Sequence, residues 1–423
     1  MKCTCRAESL YLLPIFAAVL VVSLESHGED WSQFRGPQGS GISPETGFLR
    51  SWPDGGPEVL WRAPLGEGFS GISVAGDRLF TLYAREGDEY AASFRTADGS
   101  EVWRRRIGEK FVDHWGNGPR ASPAADGEMV YALSSQGGLF ALRAADGEVA
   151  WQIDLTQRFG DPNRPVHFDE GAPTGDVPLG PYWGYCSSPL IEGDLLVVYT
   201  GAGGGNSLVA LDKRSGEIRW SRFDHLSSNS SPAAMTVGGQ RQIVVAMAHE
   251  IVSVDGSGEV LWRYPWARYN VSQPVFLPPD KIFFSSPNDV GAVLLAVRPG
   301  AEGARAEEMW RDLRMRNSWQ SSLAYQGSIV GFDRATLKCL SASGELQWAK
   351  RGLGKGTLVL ADDLLFVLSD RGVLTLAEWS TESYRETGRV EVLASPSMTA
   401  PTVAQGKLFL RNHEEMVCLN LKD

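Results

Sequence analysis

A chain of 423 residues with 43% hydrophobic and 22% charged residues is built to bury a core, which excludes a disordered chain. The net charge of −11 at pH 7 argues against nucleic acid as a partner, because phosphate binding asks for a basic face. The 47 Gly, 23 Pro and 14 Trp suit many short strands and turns, and one repeat array reaches this length as readily as two or three ordinary domains.

In chain order the first element reads as an export signal, residues 1–28. Lys2 and Arg6 precede an apolar run from Leu10 to Leu24, broken only by Pro14 and Ser23, and then comes a polar segment from Glu25 to Asp30. The run is short for a bilayer span, and Ser26 and Gly28 suit the −3 and −1 positions of a signal peptidase, so cleavage is expected after Gly28. An uncleaved anchor is the alternative. No Cys follows the run, so a lipoprotein cleavage site is not expected. An exported chain is periplasmic or extracellular, with no membrane span once cleaved. Cys3 and Cys5 leave with the signal, and Cys186, Cys339 and Cys418 read as small core residues rather than bridges or metal ligands.

Residues 29–56 are polar and rich in Gly, Pro and Ser; they predict an extended lead-in across the domain surface, anchored by Trp31, Phe34 and Trp52. Residues 57–65, PEVLWRAPL, predict a strand with Val59, Trp61, Ala63 and Leu65 on one face and no partner nearby. A recurring hairpin follows, often opening with Ser-Pro. Its turns lie at Gly76, Gly127, Gly193, Gly239, Asp280, Gly327, Asp362 and Gly406, mostly about 41 to 51 residues apart.

Each hairpin continues into a third strand and, in most cases, a fourth that carries a fixed offset of Gly four residues before Trp. Residues 139–155, LFALRAADGEVAWQIDL, set the pattern: an Asp146-Gly147 turn, then Val149, Trp151, Ile153 and Leu155 alternating with polar positions. The offset returns at Gly99 and Trp103, Gly216 and Trp220, Gly258 and Trp262, and Gly344 and Trp348. The fifth unit, ending at Trp310, has a longer charged turn, and the seventh lacks a Trp in its outer strand, with Trp379 displaced.

Four antiparallel strands per unit of this length are propeller blades. The last unit supplies only three strands before Asp423, and the lone strand at 57–65 supplies the fourth. The expected fold is therefore all-β: an eight-bladed propeller of four-stranded antiparallel blades over residues 57–423, closed by an N-terminal strand completing the last blade. Such closure removes the free edge of a linear array. The Trp residues hold blades together and carry no chemistry.

The repeated D/S-G-E-x-x-W strand, as in residues 145–151, 214–220 and 255–262, resembles the tryptophan-docking repeat of the pyrroloquinoline quinone (PQQ) propeller superfamily. The lead-in WSQFRGPQGSGISPETG followed by a Trp strand resembles a large exported bacterial branch of it. The superfamily includes both quinoprotein dehydrogenases and non-catalytic propellers such as the lipoprotein of the outer-membrane β-barrel assembly machinery, and fold alone does not choose between them. The dehydrogenases hold the quinone in the axial funnel beside Ca²⁺ and an Asp base, often with a disulfide between adjacent Cys. No adjacent Cys pair occurs after residue 28 here.

Polar and aromatic residues in loops entering the innermost strands are the candidate axial or cofactor site: His114, Trp115, Asn117, Arg120, Trp183, Tyr185, Asn229, Gln273, Asn317 and Trp319. The alternative is that Asn and Ser satisfy turn backbone while the aromatics plug the hub. The long segment 156–186 between the second and third blades offers His167, Asp169, Glu170 and Asp176, in no recognised metal spacing, and a Pro-rich cap is preferred. No metal site is expected. Gly201 to Gly205 reads as a wide hairpin, because no Lys or helix pattern follows it to make a phosphate cradle. Arg104, Arg105 and Arg106 read as a solvated outer edge.

The sequence thus points to an exported, monomeric, non-catalytic binding or scaffolding propeller of the cell envelope, with a protein partner or small ligand at the propeller face and no cofactor. The alternative is a PQQ-dependent dehydrogenase with quinone and Ca²⁺ in the funnel.

Overall fold

The structure is a computed structural model describing residues 1, 30–160, 183–226, 228–266, 271–287, 290–300 and 303–422. The export signal and its cleavage site lie outside the described residues, as do residues 161–182 of the long loop with His167, Asp169, Glu170 and Asp176. Eight sheets follow one another around the ring, and in the first seven the four blade strands are hydrogen-bonded in chain order. The first consists of Ser73–Ala75, Arg78–Arg85, Asp88–Arg95 and Glu101–Glu109. The opening strands of neighbouring sheets lie against each other, so they form the inner ring of an eight-bladed propeller. After Ser73–Ala75 these strands are Ala124–Ala125, Leu190–Glu192, Ala233–Val237, Val275–Leu277, Leu323–Tyr325, Gly356–Ala361 and Thr402–Ala404. Middle strands such as Leu364–Ser369 are buried along their whole length, because each blade packs both faces against its neighbours.

The ring closes as expected. Val59–Pro64 is the outermost strand of the eighth blade, with Trp61 opposite Cys418 and Arg62 opposite Val417. The seam is also held from inside by Arg411, which is only 1% exposed. Its guanidinium donates to the carbonyls of Gly66, Gly68, Ser70 and Leu82 and to Thr81 Oγ1, at 2.6 to 3.3 Å, so the eighth blade is tied to the first. Burial pushes it down to about 9, still protonated at neutral pH.

The outer strands differ from simple alternation in one respect. In the second blade the register skips a residue between Val149 and Trp151, and the same irregularity lies between Val59 and Trp61. This bulge throws the residue two before Trp to the other side, so Val59 (45% exposed) and Val149 (39%) face solvent rather than sharing the Trp face. Leu155 likewise leaves the strand. It opens a short helix, Leu155–Phe159, because the Asp154 side chain accepts from Gln157 N and caps it.

The Gly-to-Trp offset joins adjacent blades. Each Gly sits at positive φ in a turn where a Cβ would strike the Trp of the preceding blade: Gly99 against Trp61, Gly147 against Trp103, Gly216 against Trp151, Gly258 against Trp220, and Gly344 against Trp310. The indole N–H then donates to a carbonyl of the neighbouring blade, as in Trp103 to Ala144 at 2.8 Å and Trp348 to Ser380 at 2.8 Å. Trp262 is the exception and donates to Gln242 Oε1 in its own blade.

The seventh blade, which lacks its own Trp, is completed by the lead-in. Its outer strand Arg385–Glu391 skips a residue between Leu376 and Ala377, which puts Gly388 opposite Leu376 in the register that Trp occupies elsewhere. The ring of Trp52 lies over Gly388, and a Cβ there would be 2.6 Å from it. Trp52→Ala is expected to lower unfolding stability by about 2 kcal/mol, and adding Gly388→Trp is expected to recover part of that loss. Urea midpoints of the two single variants and the double variant check it; equal losses in the single and double variants would refute the replacement.

Candidate functional site

The axis of the ring is closed at one end by the lead-in. Trp31 exchanges backbone hydrogen bonds with Val74 of the first inner strand, Ser32 O accepts from Ala125 N of the second, and Gln33 Oε1 accepts from Ile191 N of the third. Further along, Ile42–Ser43 adds to the inner strand of the seventh blade as a parallel fifth strand. The Glu45 carboxylate accepts from Gln405 N and Gly406 N in the eighth. Asp362 in turn accepts from Gly47 N and Phe48 N. Rather than only covering the outside, the lead-in threads across the hub with Trp31 buried.

Arg35 stands at the centre of this floor. It donates to Gly39 O, Ser40 O and Ser322 O, and faces no carboxylate in these bonds. Burial pushes it down to about 10, so it is a cation at neutral pH. Its Nη1 takes part in none of the three bonds.

Above the floor runs a belt of hydroxyls that explains the Ser-Pro openings. Ser122 Oγ accepts from Gly71 N, Ser188 Oγ from Ser122 N, Ser231 Oγ from Ser188 N, and Ser321 Oγ from Gln273 N, all at 2.8 to 2.9 Å. Each side chain satisfies the backbone of the preceding blade, because the chain turns there into a Pro or a short strand and leaves that N–H without a sheet partner. These hydroxyls are structural.

The space enclosed is a cavity of about 420 Å³, within the range of small-molecule sites. Trp31, Phe34 and Arg35 line one end, and Phe69, Trp115, Arg120, Trp319, Lys355 and Met398 line it from the loops that enter the inner strands. No Asp or Glu is among the described residues lining it. Arg120 is held by Gly116 O and Gly118 O, lies 3.6 Å from Asp113, and covers the rings of Phe69 and Phe111. Lys355 Nζ sits 5.0 Å from the centroid of the Trp319 ring. Cys186 also lines the cavity, and burial pushes its thiol up to about 12, so it is not a nucleophile at neutral pH.

The ten sequence candidates divide evenly. Trp115, Arg120, Trp183, Asn229 and Trp319 come together on the cavity. His114 is turned out beside Trp115, which is itself 64% exposed. Asn117 donates to Glu67 and braces its loop. Tyr185 is buried in a core with Leu155, Gln273 donates to Pro232 O beneath the lead-in, and Asn317 bridges Phe332 O and the Ser322 hydroxyl. Sequence reasoning missed Arg35 and Lys355. The only signal for Arg35 was a charged residue inside a Gly-rich aromatic segment, and Lys355 gave none.

A Ca²⁺ site of the quinoprotein kind needs anionic oxygen ligands. The described walls offer guanidinium, ammonium, amide and hydroxyl groups, a donor set that does not fit the ion. Among the described residues no group of three His, Cys, Asp or Glu is placed to hold a metal.

The family model for outer membrane protein assembly factor BamB matches residues 53–170 and 88–302. No curated protein matches. Among solved structures, BamB from Moraxella catarrhalis is 15% identical with a TM-score of 0.58, over 86% of this chain and 98% of that one. A quinohemoprotein alcohol dehydrogenase, ADHIIG from Pseudomonas putida HK5, is 11% identical with a TM-score of 0.59, over 93% and 80%. The computationally designed protein Ika8 is 9% identical with a TM-score of 0.55, over 86% and 99%. At these identities the likeness is one of fold.

Proposed function

The chain belongs to the family of outer membrane protein assembly factor BamB, and from that premise we propose that it is an exported binding propeller of the cell envelope, not a quinone-dependent dehydrogenase. The observation that carries this reading is the axial cavity, whose described lining includes Arg35, Arg120 and Lys355 and no carboxylate. Quinoprotein chemistry asks for a carboxylate twice, once to seat the cation and once to take the substrate proton. A binding protein asks only for a shaped, preorganised cavity and a stable frame around it. The export part of the reading rests on Lys2, Arg6 and the apolar run that follows; the intact mass of exported protein, starting at Glu29, checks it.

The enzymatic part has a direct test. Purified protein supplied with PQQ, Ca²⁺ and primary alcohols is expected to show no alcohol-dependent reduction of an artificial electron-accepting dye. Turnover that requires both quinone and Ca²⁺ would overturn the reading.

A further inference from the structure

The end of the ring away from the lead-in divides by charge. Each blade shows two segments there: the turn between its second and third strands, and the crossing from its fourth strand to the next blade. In the sixth and seventh blades these include the turn 334–335 after Ser328–Asp333, the crossing 351–355 after Leu346–Lys350, and the turn 370–372 after Leu364–Ser369. The three are contiguous. Asp370 N donates to Lys355 O at 2.7 Å, Gly356 pairs with Ser369, and a Cβ on Gly356 would meet the Phe332 ring at 3.0 Å.

Arg334, Arg351, Lys355 and Arg371 stand exposed on these segments, and none forms an ion pair among the described residues. The neighbouring acids leave them uncompensated. Asp333 is taken by Arg316 and Lys338, Asp370 is half-buried, and Glu391 lies at the end of the outer strand. This positive sector runs against a net charge of −11 for the whole chain. Elsewhere the same end of the ring carries exposed acids: Glu86 and Glu109 on the first blade, Asp154 and Asp224 after the outer strands of the second and third, and Glu414 on the eighth.

We infer that the loops of the sixth and seventh blades at this end are a docking site for an acidic protein segment, whose Asp and Glu side chains pair with Arg334, Arg351 and Arg371. This rests on the binding-protein reading and adds a partner outside the axial cavity. A guanidinium meets a carboxylate through two parallel hydrogen bonds, and these three have no internal ion pair to break first. A narrow segment fits because the positive charge is confined to two blades. A flat anionic membrane would meet the whole end of the ring at once and bring its charge against Glu86, Glu109, Asp154 and Glu414, a like-charge contact that opposes docking.

Fluorescence anisotropy with a labelled octaglutamate peptide tests it, beside octaglutamine and vesicles of phosphatidylglycerol. Saturable octaglutamate binding is expected, at least about tenfold tighter than octaglutamine and weakening as salt rises from about 10 to about 150 mM. The triple reversal Arg334→Glu, Arg351→Glu and Arg371→Glu is expected to abolish it. All three side chains are exposed, and an unchanged circular dichroism spectrum checks that the fold is kept. Reversing as many charges on the first blade, with Arg95→Glu, Arg104→Glu and Arg106→Glu, is expected to leave the affinity within about twofold. No octaglutamate binding, binding unchanged in the first triple variant, or an equal loss in the second would overturn the assignment. Vesicles bound through the same three arginines more tightly than the peptide would overturn it in favour of a lipid surface. Quinone- and Ca²⁺-dependent turnover is a separate result that would overturn the binding-protein reading even where the peptide binds.

Discussion

Arg411→Met is expected to lower the unfolding free energy by about 3–5 kcal/mol, the largest effect of any substitution away from the docking tryptophans. The side chain length and most of the packing are kept, so the loss reports the hydrogen bonds. Five oxygen acceptors on the first blade, from Gly66, Gly68, Ser70, Thr81 and Leu82, lose their donors at once. They lie in the loop and strand that face the seam, where the eighth blade offers no substitute. Arg411→Lys keeps the charge but replaces a planar five-donor fork with one ammonium, so it should recover only part of the loss. Denaturant unfolding with a single shared slope checks both variants; a change below about 1 kcal/mol in Arg411→Met would show that strand pairing through Val59–Pro64 alone closes the ring.

The second large effect is at the blade-to-blade tryptophans. Trp103→Ala removes a buried indole that lies against Gly147 and donates to Ala144 O, and it is expected to cost about 3–5 kcal/mol. Gly147→Ala approaches the same contact from the other side. Its φ is +71° and an added Cβ would meet the Trp103 ring at 2.6 Å, so strain and clash both oppose it. Combining the two substitutions should cost less than the sum of the separate losses, since the clash disappears with the ring. Strict additivity in a double-mutant cycle would contradict a direct contact.

These contacts explain what was legible in the sequence and what was not. Blade number, closure and the turn positions were readable because they repeat: a short-range signal such as Asp146-Gly147 before Trp151 occurs several times and averages out local noise. What the repeat concealed was its direction. Gly147 pairs with Trp103 of the previous blade, not with the Trp151 four residues on, and only the register shows that. The bulge before each Trp was likewise silent in the alternation pattern, which placed Val59 and Val149 on the wrong face.

The site was half legible for a similar reason. Trp115, Arg120 and Trp319 stand in loops that recur before each inner strand, so their place followed from the repeat. Arg35 belongs to a segment that occurs once, and its position depends on contacts with strands about 290 residues away, such as Ser322 O. Asn317 and Tyr185 shared the loop position of true lining residues yet turned inward to satisfy backbone and core, a choice set by side-chain packing that spacing does not encode.

No Asp or Glu is among the described residues lining the cavity, and one measurement bears on that directly. The unfolding temperature of the purified protein is followed with PQQ in excess, once with Ca²⁺ and once with the ion removed by a chelator. The same temperature is expected in both, because the described walls hold donors and cations rather than ligands for Ca²⁺. A saturable rise that appears only when Ca²⁺ and quinone are present together would contradict it and return the chain to the quinoprotein enzymes.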